Sequence, residues 1–274
     1  MKQSIVPLCG ESIRLGLAEY AGVRIQVADE IDSTNTEAKR LAAAGSRLGA
    51  GDRVLIAARS QTAGRGRLGR DFFSPPDTGL YMTLLYGTEQ PLDQVVTVTA
   101  AAAVAASRAI AHCTGTEVGI KWVNDLYRNG CKICGILTEA VPLLSHPGMN
   151  GIVVGWGINL TTEGFPPGLR APAGCLLDER APSDTPLDAG ILCGRIAREL
   201  LILLDTKSVT APETLNEYRR RLILTGHRIY ATRGNERMEG IVRGVDDAFG
   251  LILDTADGVR VLHSGEVSVR LCQP

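Results

Sequence analysis

A segment rich in arginine and glycine, Gln61–Arg70, contains the densest group of side chains that could bind an anion. Arg59, Arg65, Arg67 and Arg70 lie in or next to it, and no acid lies between them. Glycine lets the backbone approach a ligand closely, and guanidinium groups bind phosphate or carboxylate oxygens in pairs. The segment also fits a G-x-G-x-x-G pattern, but prolines and a strand-like run follow it instead of the helix that a dinucleotide site requires. An anion site is therefore one interpretation, and a solvated basic loop is the other.

A single lysine, Lys132, lies in a strand-like run of mostly apolar residues. Strict alternation along a strand would place it on one face with Cys134 and Ile136, within a largely apolar surface. A buried cation is costly unless an anion neutralises it. Lys132 is therefore a candidate to contact an anionic substrate, unless its strand is an exposed edge that a lysine protects from aggregation.

Cys131 and Cys134 have the C-x-x-C spacing of metal and redox sites. Residues three apart on a strand point to opposite faces, and no second pair of cysteines or histidines accompanies them. No metal or redox site is predicted from this pair. The seven cysteines are odd in number and scattered along the chain, which predicts reduced thiols.

Two further segments combine strand-like runs with hydrogen-bonding side chains. Lys121–Tyr127 runs from a strand into a turn at Asn129-Gly130, which predicts a hairpin with Lys132–Glu139. Gly155–Asn159 closes an apolar strand. Glycines in a strand can admit a ligand close to the backbone, and the asparagine amide can both donate and accept. Taken alone, the second segment could equally be a bulge followed by a turn-forming asparagine.

The elements that must position these residues are mixed in type. Ser33–Glu37 predicts a helix start, with the Thr34 hydroxyl as cap and Glu37 as its capping-box partner. Periodicity predicts strands at 24–28, 54–58, 80–86, 118–122, 132–140 and 151–160, and further helices at 92–111, 187–204 and 212–223. Beyond Gly226, short strands recur about every eight residues, which predicts a small all-β barrel. The predicted fold class is α+β, a mixed β-sheet with packed helices followed by that barrel.

Composition excludes several classes of protein. The 274 residues contain 29 Lys+Arg and 30 Asp+Glu, a balance that argues against a dedicated nucleic-acid binder. A hydrophobic fraction of 45% is enough for a large core. No uninterrupted apolar run reaches the length of a membrane span, and the N-terminus lacks the apolar block of a signal peptide, which predicts a cytoplasmic protein.

Taken together, these segments resemble the motifs of biotin protein ligases. The order and spacing of that family are matched by Ser33–Asn35, Gln61 with the Gly64–Arg70 loop, Lys121–Asp125, Lys132–Glu139 and Gly155–Asn159. The resemblance implies a class II synthetase-like catalytic domain in residues 1–224, which binds biotin and ATP. It also implies a C-terminal SH3-like β-barrel domain in residues 225–274.

The resemblance implies a two-step reaction. The enzyme would activate biotin with ATP and Mg²⁺ to biotinyl-5′-AMP, then transfer biotin to one lysine of the biotin carboxyl carrier domain of a biotin-dependent carboxylase. Because the acyl-adenylate is already activated, no covalent enzyme intermediate is needed. The sequence accordingly has no G-x-S-x-G or Walker motif.

The resemblance also implies residue roles. Biotin would be bound by Ser33, Thr34, Asn35, Gln61, Gly64, Arg65, Gly66, Arg67 and Lys132. ATP would be bound by Arg65, Arg67, Arg70, Lys121, Trp122, Asn124, Asp125 and Asn159. The catalytic residues would be Lys132, Arg67 and Asp125, and Asp125 is also the candidate Mg²⁺ ligand.

Three positions depart from the pattern of the family. Val123 stands where a proline is usual, and Gly174-Cys175 stands where a Thr-Ser pair is common, so a hydroxyl contact there is in doubt. Trp156 replaces a small residue, and we expect it to narrow the nucleotide pocket or to stack on adenine.

Two other functions remain open at this point. A lipoate–protein ligase would share the fold and the acyl-adenylate chemistry, but its pocket would need fewer hydrogen-bonding groups. A binding module that retains the pocket without turnover is the other alternative. Only some two dozen residues precede the first core strand, so we expect no DNA-binding domain, a ligase without a repressor function and no DNA partner. Members of the family often dimerise by extending their central sheet, so a homodimer is possible.

Overall fold

The structure is a computed structural model, and it describes residues 4–44, 48–49, 51–89, 95–144, 146, 148–169, 171–177, 186–233, 236–263 and 267–271. The helices are α1 (Gly10–Leu17), α2 (Thr34–Ala43), α3 (Val95–Thr114), α4 (Ala189–Asp205) and α5 (Pro212–Arg221). The strands of the main sheet are β2 (Val23–Ile31), β3 (Arg53–Gln61), β4 (Gly79–Thr88), β5 (Gly119–Lys121), β6 (Asp125–Arg128), β7 (Cys131–Pro142) and β8 (Asn150–Asn159). The remaining strands are β1 (Ile5–Val6), β9 (Leu187–Asp188), β10 (Arg228–Arg233), β11 (Glu236–Val245), β12 (Leu251–Thr255), β13 (Gly258–Leu262) and β14 (Val267–Leu271).

The main sheet has seven strands in the order β2-β3-β4-β8-β7-β6-β5. Only the β2–β3 pair is parallel, so the sheet is mixed, as predicted. Side chains alternate between its two faces. One face packs on α3 and α4 to form the large core, and the other packs on α2 in a smaller cluster. The second face is the one that also bears the polar residues described below.

Helix α3 is the centre of the large core. Its run of alanines favours a helix and lets it lie close to the sheet, and twelve of its residues are buried. It is long and apolar enough to cross a membrane by length and composition, but 67% of its most apolar stretch is buried inside the protein. That burial is what the core helix of a globular domain shows.

Two predictions for the N-terminal part need correction. Helix α1 was not predicted; it has eight residues and packs on α4, so tertiary contacts rather than its own sequence account for it. The predicted capping box is wrong, because Ser33 is the cap residue and its side chain makes no capping hydrogen bond. Thr34 is the first helical residue instead, and its hydroxyl contacts Gln61 and Thr83. The predicted end of this helix, Gly45, lies outside the described residues.

The C-terminal strands form an antiparallel sheet in the order β13-β12-β11-β10-β14. The prediction of five short strands is thus confirmed, although the predicted turn at Gly234-Asn235 lies outside the described residues. Among the residues described, β13 and β14 are the two edges and do not pair with each other, so a closed barrel stays a prediction. This sheet contacts the N-terminal part of the chain, since Phe249 lies edge-on to Tyr218 of α5 with ring centroids 5.1 Å apart.

Candidate active site

A cleft of about 370 Å³ opens on the α2 face of the main sheet. Its size is within the range of small-molecule sites. The start of α2, the segment Gln61–Arg70 (the arginine loop) and the ends of β6, β7 and β8 surround it. The predicted site residues that line it are Ser33, Thr34, Asn35, Gln61, Arg65, Gly66, Arg67, Arg70, Lys121, Trp122, Asn124, Asp125, Lys132 and Asn159. Of the predicted set only Gly64 is not at its wall, and Arg59 lies apart from it, paired with Asp77.

One end of the cleft is a buried hydrogen-bonding cluster. Thr34 and Asn35 are 3% and 5% exposed, and Thr83 of β4 is fully buried beneath them. The Thr83 Oγ1 lies 2.7 Å from Asn35 Oδ1 and 2.8 Å from Thr34 Oγ1. Gln61 accepts from the Thr34 backbone N–H at 2.9 Å, and its own amide donates to Ser74 Oγ at 2.9 Å. Nearly every polar atom here therefore already has a protein partner.

A carboxylate extends this cluster. The Asn35 amide donates to Glu139 Oε2 at 3.0 Å and to the Leu137 carbonyl at 3.3 Å. The other oxygen of Glu139 pairs with Lys39 Nζ at 2.8 Å. Residues from α2, β4 and β7 thus converge on one asparagine.

Two glycines of β8 make room for the neighbours of the cleft. A Cβ at Gly155 would overlap the Asn35 amide oxygen, and a Cβ at Gly157 would lie 2.5 Å from the Phe72 ring. This pairing explains the glycines of the Gly155–Asn159 segment, whose strand is regular and unbulged next to β4. The bulge interpretation of that segment is therefore wrong.

The arginine loop folds back on itself at the second end of the cleft. The Phe72 N–H donates to the Gly64 carbonyl at 2.8 Å, and the Gly66 N–H donates to the Arg70 carbonyl at 2.7 Å. Arg67 begins a short 3₁₀ turn and is half-buried, whereas Arg65 and Arg70 are exposed.

Arg67 reaches from this loop to the opposite wall of the cleft. Its Nη1 donates to Asn124 Oδ1 at 3.1 Å. Burial lowers the pKa of Arg67, and the nearby Asp125 carboxylate opposes that change. Asn124 is itself held by two hydrogen bonds to the backbone of Ile136, each 2.8 Å long.

Lys132 lies on the cleft side of β7, which strict alternation along the strand does not predict. A bulge between β6 and β7 shifts the pairing, so that Leu126 faces Cys134 while Tyr127 faces Lys132. The predicted shared face with Cys134 and Ile136 is therefore wrong: those two side chains are buried in the large core, and Lys132 lies over Gly135 on the other side. Its Nζ pairs with Asp125 Oδ1 at 2.6 Å.

The tryptophan indole N–H groups both donate to backbone carbonyls away from the cleft. The Trp156 ring packs toward α3 and donates to the Ala102 carbonyl at 3.2 Å, so the expectation that it stacks on adenine or narrows the pocket is wrong. Trp122 is 5% exposed and donates from Nε1 to the Phe249 carbonyl at 2.7 Å. Its indole N–H is therefore committed to the C-terminal sheet.

The far wall of the cleft is a segment bonded to Lys132 and Asn159. The Lys132 N–H donates to the Pro172 carbonyl at 2.8 Å, and the Gly174 N–H donates back to the Lys132 carbonyl at 2.9 Å. The Asn159 amide donates to the Gly174 carbonyl at 3.0 Å. A Cβ at Gly174 would lie 2.7 Å from Cys131 Cβ, so a larger residue at this position would require Cys131 to shift.

Sequence reasoning missed several residues of the cleft. Phe72, Phe73, Phe165 and Leu169 line it, and Thr83 lies beneath it. Thr83 could have been found from the alternation of β4, because it pairs with Gly155 in the adjacent strand. Nothing in the local sequence marks Phe165 or Leu169.

No metal cluster of three or more His, Cys, Asp or Glu occurs within the described part of the chain. Cys131 and Cys134 are both free thiols. Burial raises the pKa of Cys134, so this thiol stays protonated and unreactive. Cys272 lies outside the described residues.

Comparisons with known proteins identify the family of the chain. Residues 27–159 match the biotin/lipoate A/B protein ligase family, and residues 225–270 match the biotin protein ligase C terminal domain. A biotin–[acetyl-CoA-carboxylase] ligase of Paracoccus denitrificans is 32% identical over 86% of this chain and 96% of its own length. The bifunctional ligase/repressor BirA of Bacillus spizizenii is 30% identical over 96% of this chain and 79% of its own length.

A solved structure is similar along most of the chain. The biotin protein ligase from Aquifex aeolicus in complex with biotin and ATP superposes with a TM-score of 0.72 at 25% identity. The match covers 91% of this chain and 99% of that one.

Proposed function

The chain belongs to the biotin protein ligase family, and we propose that its cleft converts biotin and ATP to biotinyl-5′-AMP and passes biotin to a carrier-domain lysine. Membership of this family makes the chain an ATP-dependent biotin ligase. The roles of single residues below follow from their positions in the cleft.

The observation that carries the proposal is the pairing of two unlike ends within one cleft. Ser33, Thr34, Asn35 and Gln61 form a buried hydrogen-bonding end, which suits the ureido ring of biotin. Arg65, Gly66, Arg67 and Lys132 line the cationic end, which suits a carboxylate and phosphates, and Gly64 supports that loop from behind. Biotin has this same polarity, with a ureido ring at one end and a carboxylate at the other.

The cationic end reduces the repulsion between two anions, which is the main barrier to the first step. The biotin carboxylate must attack the α-phosphorus of ATP, and the bond to pyrophosphate breaks as the new P–O bond forms. Two anions repel each other at that point, so fixed cations lower the barrier. We propose Lys132 and Arg67 as those cations, because both side chains are held at the cleft wall, at Asp125 and Asn124 respectively.

Asp125 is the proposed Mg²⁺ ligand. Mg²⁺ is commonly bound by one or two carboxylates together with substrate phosphates, and Asp125 supplies one carboxylate beside the cationic end. The ion would neutralise phosphate charge. In the ligand-free protein the same carboxylate holds Lys132, so ATP binding would exchange one partner of Asp125 for another.

The nucleotide is proposed to lie between the arginine loop and the wall formed by residues 171–176. Arg70, Lys121, Asn124 and Asn159 line that part of the cleft. Trp122 contributes a buried ring at the wall rather than a hydrogen bond, since Phe249 takes its N–H.

The second step needs no nucleophile from the enzyme. The amine of the acceptor lysine attacks the acyl carbon of biotinyl-5′-AMP, the acyl–phosphate bond breaks and AMP leaves, while the proton of the amine passes to solvent. The acceptor is proposed to be a biotin carboxyl carrier domain, as the name of the Paracoccus relative suggests.

Several coarser features complete the proposal. Residues 1–224 are proposed as the catalytic domain and residues 225–274 as an SH3-like domain, which the five-stranded C-terminal sheet supports. A cytoplasmic location fits the reduced cysteines. A homodimer that extends the main sheet is proposed, and no DNA partner is proposed.

The test is a mass measurement on the acceptor. Purified protein is incubated with ATP, Mg²⁺, a biotin carrier domain and either biotin or lipoate. We expect a mass gain of one biotinyl group and none with lipoate. Modification by lipoate alone would contradict the proposal in favour of a lipoate ligase, and biotin binding without modification would favour a non-catalytic binding protein.

A further inference from the structure

The buried cluster under the hydrogen-bonding end of the cleft fixes more than the positions of its atoms. It also fixes which groups can donate protons, because each hydroxyl has one proton and each carboxylate has none. The directions can be worked out from Glu139, Asn35, Thr83, Thr34 and Gln61. This inference rests on the proposed function and deepens it.

Two groups that can only accept hydrogen bonds fix the orientation of the Asn35 amide. Glu139, ion-paired with Lys39 at 2.8 Å, and the Leu137 carbonyl can only accept. Both contact the same side of the Asn35 amide, at 3.0 Å and 3.3 Å, so that side must be the NH₂ group. The Asn35 oxygen therefore points toward Thr83.

The orientation of Asn35 in turn requires the Thr83 hydroxyl to donate its proton to the Asn35 oxygen. Because the Asn35 oxygen cannot donate, the 2.7 Å contact between it and Thr83 Oγ1 requires the proton of Thr83. The 2.8 Å contact between Thr83 Oγ1 and Thr34 Oγ1 then requires the proton of Thr34. The other neighbour of that hydroxyl, Gln61 Oε1 at 3.3 Å, is also an acceptor inside the protein.

Whichever of these acceptors it uses, Thr34 keeps its proton within the protein. Toward the cleft Thr34 can then offer only lone pairs, and Asn35 likewise has both N–H groups occupied. Two neighbouring side chains at the cleft wall thus face a ligand as acceptors only. This end of the cleft selects a ligand that presents N–H groups.

We propose that Thr83 and Glu139, neither of which lines the cleft, are positioning residues that set this polarity and so select the ureido N–H groups of biotin. Gly155 belongs to the same arrangement, because its missing Cβ is what allows the Asn35 oxygen to lie there. A ligand with an oxygen in place of an N–H would bring a lone pair against a lone pair.

The experiment compares two substrates that share the reacting carboxylate. One is biotin, and the other is a cyclic carbamate analogue in which a ring oxygen replaces one ureido N–H. Adenylation is followed by pyrophosphate release for wild type, Thr83→Val, Thr83→Ser and Glu139→Gln. Thr99→Val is the matched control, since Thr99 is also buried and its hydroxyl bonds to the Val95 carbonyl within α3.

We expect wild type to favour biotin over the carbamate by about a hundredfold or more in kcat/KM, since a site built around an N–H rejects an analogue without it. Thr83→Val removes the nearer acceptor and leaves only the longer contact to Gln61 Oε1 at 3.3 Å, so the Thr34 hydroxyl can turn its proton to the ligand. The preference should then fall by about tenfold, with a higher KM for biotin and kcat within about threefold. Thr83→Ser should restore the preference. Glu139→Gln should lower it less, because the Leu137 carbonyl still holds Asn35.

The outcomes separate this inference from the proposed function. A higher KM for both substrates with an unchanged preference would mean that Thr83 is only structural, and the inference would fail. A wild type that adenylates both substrates equally would overturn it as well. Failure of wild type to adenylate biotin at all would instead overturn the proposed function. If Thr83→Val melts well below the Thr99→Val control, the substrate preferences of Thr83→Ser and Glu139→Gln decide instead. A preference that Thr83→Ser keeps and Glu139→Gln lowers supports the inference, and a preference unchanged in Glu139→Gln overturns it.

Discussion

The two ends of the cleft are built in different ways. At the hydrogen-bonding end, Thr34, Asn35 and Thr83 are nearly or fully buried and bonded to one another before a ligand arrives. At the cationic end, Arg65 and Arg70 lie exposed on a loop that contains a short 3₁₀ turn and no strand or α-helix. Under the proposed function, the first end is preorganised to recognise biotin, whereas the second adjusts to charge that changes during the reaction.

The physical reason lies in what each end must bind. A neutral ureido ring needs hydrogen-bonding groups in fixed positions, and a buried cluster holds these at low cost because nearly every member is satisfied. ATP and the biotin carboxylate bring and release several negative charges, so exposed arginines can be hydrated when the cleft is empty. The following predictions test that contrast.

The largest effect is expected from removing a cation that contacts the reacting groups. Lys132→Ala should slow biotinyl-5′-AMP formation by about 10²–10³-fold at saturating biotin, the range seen when one group that stabilises a transition-state charge is lost. Quenched-flow measurement of the adenylate reads this directly. Lys207→Ala, at an exposed position after α4, is the control. A loss confined to the KM for biotin would assign Lys132 to binding instead.

Arg67 should matter somewhat less, because other arginines share its loop. Arg67→Met keeps most of the side-chain length without the charge, and we expect adenylation to fall by about 30- to 100-fold. Arg59→Met is a suitable control, since Arg59 pairs with Asp77 outside the cleft. Equal losses in the two variants would contradict a specific role for Arg67.

At the hydrogen-bonding end, adding one methyl group at Gly155 should weaken biotin binding. Gly155→Ala places its Cβ against the Asn35 oxygen, which is held by Thr83 and cannot move without breaking that bond. We expect the KM for biotin to rise by about 30-fold or more with a small change in kcat. Isothermal titration with biotin checks the affinity, and an unchanged value would show that the cluster is not rigid.

Replacing Gly157 by alanine should change the KM for biotin less than the same replacement at Gly155. Gly157→Ala places its Cβ 2.5 Å from the Phe72 ring, which is carried by the arginine loop and can shift with it. We expect a rise of about three- to fivefold in the KM for biotin. A larger effect at Gly157 than at Gly155 would reverse the comparison between the two ends.

The smallest effect concerns the loop itself. Trypsin should cut the ligand-free protein at Arg65 or Arg70, which are both exposed, and biotin with ATP should slow that cleavage by about two- to threefold because the ligands hold the loop. Mass spectrometry of the fragments locates the cut. Cleavage that ligands leave unchanged would count against a loop that orders around its substrates.

The sequence by itself determined the types of most elements and the chemistry of the site. Periodicity predicted the core of α2, α3, α4 and α5 and the strands of the main sheet, since helix and strand patterns depend on neighbours along the chain. Motif spacing predicted thirteen cleft residues beyond Lys132, because the chemistry of anion and amide recognition restricts which residue types can serve. The match to a family was visible at the same stage.

Only the tertiary structure decided the directions of side chains. The bulge between β6 and β7 moved Lys132 to the face opposite Cys134. Trp156, expected in the nucleotide pocket, packs on α3 instead, and Trp122 bonds to Phe249 some 127 positions away. Thr83, an ordinary strand residue in the sequence, lies under the hydrogen-bonding end of the cleft. Strand register and bulges arise from pairing between distant segments, which no local pattern records.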